Sequence, residues 1–71
     1  MSLVLVVNGQ RMVLAELASP CPLTEVLERM QLKADRVAVE HNGEIAPRAG
    51  WNVTSVASGD RLEIVHFVGG G

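Results

Sequence analysis

Leu23-Thr24-Glu25-Val26-Leu27-Glu28-Arg29-Met30 decides how this 71-residue chain folds. Leu23, Val26, Leu27 and Met30 fall at i, i+3, i+4 and i+7, which lines one face of a helix with four apolar side chains. Glu25, Glu28 and Arg29 point the other way. Pro22 suits the first helical position and leaves Cys21 as a weak N-cap, so the pattern fixes the helix but not its first turn.

On both sides of the helix the period shortens to that of strands. Leu3-Val4-Leu5-Val6-Val7 is aliphatic on both faces, as expected of a fully buried central strand. Asn8-Gly9 tolerates the positive φ of a tight hairpin turn, and Arg11 to Glu16 reads as the returning strand. Ser19-Pro20-Cys21-Pro22 interrupts it, because proline donates nothing to a sheet ladder. Beyond the helix, Val37 to His41 reads as a third strand and Asn42-Gly43 as a second hairpin turn. Glu44-Ile45-Ala46 is its short partner, ended by Pro47. A loop with Trp51 and Val53 leads to a turn at Ser58-Gly59-Asp60, and Arg61 to Val68 is the last strand.

The order is hairpin, helix, short hairpin, strand and glycine tail. One helix crossing between the two strand sets implies a mixed sheet with that helix packed across it, the first strand in the middle and parallel to the last. The expected class is α+β, a β-grasp of four to five strands on one main helix. Residues 1–68 form the domain and 69–71 a flexible tail.

Composition narrows the function. With 48% apolar residues, the chain has material for an aliphatic core. One Phe and one Trp are poor material for a deep aromatic pocket. The net charge of −2, with acids and bases interspersed, offers no basic stripe for nucleic acid. The apolar run Leu3–Val7 is far short of the roughly 20 residues of a membrane span, and lacks the flanks of a signal peptide. A single cysteine forms no internal disulfide, so a cytoplasmic location is expected.

The chain ends His66-Phe67-Val68-Gly69-Gly70-Gly71. Extended glycines reach about 3.3–3.6 Å per residue beyond the last strand. Without Cβ atoms, Gly69 and Gly70 can thread a channel too narrow for other residues. The Gly71 carboxylate then stands on a thin stalk where a partner enzyme can activate it with ATP. A carboxylate is a poor electrophile and an acyl-adenylate a good one. A frayed terminus is the plainer reading of the glycines taken alone.

Alternation along the last strand puts Leu62 and Ile64 on the helix side and Val65 and Phe67 on the other. Two readings stand for Val65 and Phe67: an apolar patch gripped by a partner, or a surface covered by a loop of this chain. Trp51 is expected in a satellite of the core. Arg48, after Pro47, either offers a charge to a partner or is solvated. Cys21 sits between prolines without a basic neighbour and is expected to be inert rather than a sulfur relay. His41 and His66 lack companions at ligand spacing, so no metal site is expected. Nothing places an acid/base pair or nucleophile in a cleft, and an enzyme is not expected.

Several pieces together resemble the ThiS family, the ubiquitin-like sulfur carriers of thiamin biosynthesis. They are Asn8-Gly9, Leu23 to Leu27, Val37 to Glu40, Asn42-Gly43-Glu44-Ile45, Pro47-Arg48, Trp51, Gly59-Asp60 and Leu62 to Gly71. The resemblance implies a carrier cycle with no bound cofactor. A ThiF-type enzyme adenylates Gly71 with ATP, sulfur from a donor enzyme replaces AMP, and the thiocarboxylate delivers sulfur to a ThiG-type thiazole synthase. Pro20-Cys21-Pro22 departs from it, standing where a hydroxyl cap is more usual. A molybdopterin-type carrier and a ubiquitin-like protein modifier remain the alternatives, as does a plain interaction domain with an incidental tail.

Overall fold

The computed structural model describes residues 1–67. Strands β1 (Ser2–Val7) and β2 (Gln10–Ala15) form the first hairpin. A two-residue strand β3 (Cys21–Pro22) leads directly into helix α1 (Leu23–Arg29). Strands β4 (Val37–His41), β5 (Glu44–Ile45), β6 (Ser55–Val56) and β7 (Arg61–His66) follow, with short 3-10 turns at Ala34–Arg36 and Arg48–Gly50. The main sheet runs β2-β1-β7-β4-β5, with β1 and β7 parallel and the other neighbours antiparallel. This is the expected β-grasp.

Both Asn-Gly turns behave as their sequences require. Asn8 and Gly9 have φ of 50° and 82°, and Asn42 and Gly43 have 53° and 88°. Two successive residues at positive φ match the right-handed twist of the flanking strands.

Leu3, Leu5 and Val7 of β1, Leu62 and Ile64 of β7, and Val37 and Val39 of β4 meet Leu23, Val26 and Leu27 of α1 in one core. Met30, the fourth residue of the apolar helix face, is the C-cap and only partly buried. Burying each large aliphatic side chain stabilises the fold by about 1.5–3 kcal/mol relative to exposure.

Several expectations are corrected. The first strand is buried on one face only: Val4 and Val6 are half-buried, because among the described residues the single helix covers one side of the sheet. Pro22 is the N-cap rather than the first helical residue, and it makes no side-chain capping bond. Cys21 is a strand residue paired with Val56. The N–H of Leu23 donates to the Thr54 carbonyl at 2.9 Å, so a backbone acceptor does the work of a cap. The returning strand is shifted by one residue, to Gln10–Ala15. The partner strand ends at Ile45, and β7 at His66.

Candidate functional site at the root of the tail

Gly69, Gly70 and Gly71, expected from the sequence to supply the acceptor carboxylate and its stalk, lie outside the described residues, as does Val68. The site is therefore built from the residues leading to them.

Leu62 and Ile64 point into the core and anchor β7 in the middle of the sheet. Val65 faces the other way, across from Ala38 of β4, and is 61% exposed. Beyond the strand, the Phe67 N–H donates to the Arg36 carbonyl at 2.9 Å. That bond ties the chain to the start of β4. Phe67 is nonetheless 52% exposed. No loop among the described residues covers Val65 or Phe67, so the second reading of this pair is set aside.

Phe67 also lines a shallow open depression with Val37, Val39, Ile45, Ala46, Arg48 and Trp51. Trp51 is buried in the main core rather than in the expected satellite, and its indole N–H donates to the Ala46 carbonyl at 2.6 Å. The 3-10 turn Arg48–Gly50 folds back so that the Arg48 guanidinium lies 5.9 Å from the centroid of the Trp51 ring. A cation at that distance is attracted by the ring's negative face. Ile45, on the rim, is 77% exposed. Sequence reading passed over the joining of Ile45 and Arg48 to the surface beside Phe67. Its one signal was the spacing of Arg48 and Trp51, three apart.

His41 and Asp60 tie two turns together. His41 Nε2 lies 2.7 Å from Asp60 Oδ2, linking the β4–β5 turn to the turn before β7. Asp60 also accepts from the Ala57 N–H at 2.9 Å. Partial burial acts upward on its pKa. The hydrogen bonds from Ala57, His41 and Asn42, with the charge of His41, outweigh that effect and hold it below the usual value. Cys21 is buried, and burial, with Glu25 nearby, pushes its thiol pKa up. Among the described residues no three His, Cys, Asp or Glu side chains gather at metal-binding distance. No described helix is long and apolar enough to cross a membrane.

The ThiS family model matches residues 5–71. A crystal structure of a thiamine biosynthesis protein (ThiS) from Geobacter metallireducens is 36% identical, with a TM-score of 0.82 over 97% of this chain and 100% of that one. A solution structure of a thiamine biosynthesis protein from the same organism gives a TM-score of 0.76 over 97% of this chain and 88% of that one. A thiazole synthase from Paramagnetospirillum magneticum is 36% identical over 67 residues, 94% of this chain. The chain spans only 20% of that relative's length. A single α-helix among the described residues packs across a β2-β1-β7-β4-β5 sheet, in agreement with both structural likenesses, and the chain belongs to the ThiS family.

Proposed function

We propose that this chain is a sulfur carrier of thiamin biosynthesis, working in the cytoplasm as a substrate of partner enzymes and without a bound cofactor of its own. The observation that carries the reading is the position of Phe67. It is pinned by its backbone to Arg36, half-exposed, and followed after one residue by Gly69-Gly70-Gly71. A firmly held root with an exposed apolar flank gives a partner something to grip while the glycines reach past it. Val65 and Phe67 are the partner contacts in this reading.

The chemistry is two displacements, the first at the α-phosphorus of ATP and the second at the Gly71 carboxyl carbon. Attack of a carboxylate oxygen on the α-phosphorus of ATP, bound by a ThiF-type enzyme, releases pyrophosphate and leaves an acyl-adenylate. Sulfur from a donor enzyme, delivered as a hydrosulfide equivalent, then attacks the acyl carbon and expels AMP. The resulting thiocarboxylate gives its sulfur to thiazole synthase. Likeness of this chain to one-fifth of a protein named thiazole synthase supports that last partner.

The test is intact-mass measurement after incubation with ATP, a ThiF-type enzyme and sulfide. Replacement of one oxygen by sulfur, absent when Gly71 is deleted, is expected. An unchanged mass, with an enzyme active on its own carrier, sinks the reading.

A further inference from the structure

The depression beside Phe67 pairs an apolar floor with a positioned positive charge. Val37, Val39, Ala46 and Trp51 are buried and form its floor, while Phe67, Ile45 and Arg48 are exposed at its rim. Arg48 rests near the Trp51 ring, and Trp51 is itself fixed by its bond to Ala46. An arginine held this way loses less side-chain freedom on pairing than one waving in solvent.

Among the described residues, no acid pairs with the Arg48 guanidinium, and none pairs with Arg36, which is exposed beside Phe67's anchor. Asp35 and Glu44, the acids nearest these arginines in sequence, make no ion pair with either. In a chain of net charge −2, Arg36 and Arg48 thus offer two positive groups, without an ion-pair partner among the described residues, near the root of the tail.

The geometry points to this depression as the docking site for a carboxylate-bearing, apolar segment at the mouth of the adenylating partner's tail channel. This rests on the carrier reading, because only a tail that enters a partner brings the partner's rim to Phe67. The apolar side chain of that segment fills the floor between Phe67, Ile45 and Trp51. Its carboxylate takes the outward fork of Arg48, a geometry suited to two parallel hydrogen bonds. Arginine and large aromatics are the residues that most often dominate such contacts. Arg48 is thus a positioning residue for adenylation that never approaches the reacting carboxyl group.

The experiment measures ATP-dependent adenylation of the full chain by a ThiF-type enzyme, against carrier concentration and salt. Variants are Arg48→Glu, Arg48→Ala, Arg48→Lys and, on the opposite edge of the sheet, Arg11→Glu. Thermal melting of each checks folding, and Arg48→Ala stands in should Arg48→Glu fail to fold. Arg48→Glu should raise the KM for the carrier about tenfold with kcat nearly unchanged, Arg48→Ala less, and Arg48→Lys least. The KM of wild type should rise more steeply with salt than that of Arg48→Ala. An unchanged KM for folded Arg48→Glu, or an equal rise for Arg11→Glu, overturns the docking site and leaves the carrier reading standing. Failure of wild type itself to be adenylated overturns both.

Discussion

Asn8 binds Ile64 at both ends of its side-chain amide. Oδ1 accepts the Ile64 N–H at 2.7 Å, and Nδ2 donates to the Ile64 carbonyl at 3.1 Å. The ladder between β1 and β7 pairs Val6 with Arg61 and Val7 with Leu62, and there the β1 backbone turns away into its hairpin. The Asn8 side chain carries the pairing onward, so one residue shapes the first turn and lengthens the parallel contact that holds β7.

Replacing Asn8 should therefore cost more than an exposed turn residue normally does. Asn8→Ala loses two hydrogen bonds and places a less tolerant residue at φ of 50°, at a combined cost of about 1–3 kcal/mol. Asn8→Asp keeps the acceptor and tolerates the turn, so it should fall between the two. Denaturant melts of the three proteins check the order, and equal midpoints for Asn8→Ala and wild type would refute it.

Trp51 has two separable contributions. Trp51→Phe keeps most of the packing but leaves the Ala46 carbonyl without its partner, for about 1–3 kcal/mol. Trp51→Ala also empties the space and should cost about 3–5 kcal/mol. Thermal unfolding of both variants reads the difference directly.

Cys21 should be slow to react while the protein is folded. Its thiol is buried, and its raised pKa keeps the thiolate scarce at neutral pH. Alkylation by iodoacetamide, followed by mass, should proceed quickly only in denaturant. Cys21→Ala should still acquire sulfur at Gly71; a loss of transfer in a folded variant would make Cys21 a relay after all.

The Asp60 carboxylate gives stability a defined acid dependence. Its folded pKa lies below the ordinary 3.8, so the unfolded chain binds more protons in the window between the two values. The contribution is fully present above the ordinary value and is lost as pH falls through the folded one. Asp60→Asn should flatten the acid limb of a stability-against-pH curve. A limb of unchanged slope would show that Asp60 does not carry it.

What the sequence revealed, it revealed through pattern. Leu23, Val26 and Leu27 announced the buried helix face, and two Asn-Gly pairs marked the tight turns that stand in the structure. The alternation of Leu62, Ile64 and Val65 set which side of β7 meets the core. Other features had no pattern to show. A two-residue strand such as Cys21–Pro22 has no period, and its pairing with Ser55–Val56 is made across more than thirty residues. Valines at positions 4 and 6 read as buried because aliphatic composition does not say whether a second layer exists. The depression beside Phe67 draws on β4, β5 and the turn at Arg48, so only the folded chain assembles it.

The parallel pairing of β1 with β7 also orders events in time. The strand between β1 and β4 in the sheet is β7, the last of the strands to be synthesised. A nascent chain halted before Arg61 holds two hairpins with nothing to bridge them, and contacts of such long sequence separation form slowly. The helix has no finished surface to settle on until that bridge arrives. A chain cut short before Arg61 therefore keeps both hairpins yet lacks the strand that joins them, and no continuous sheet is left to receive the helix.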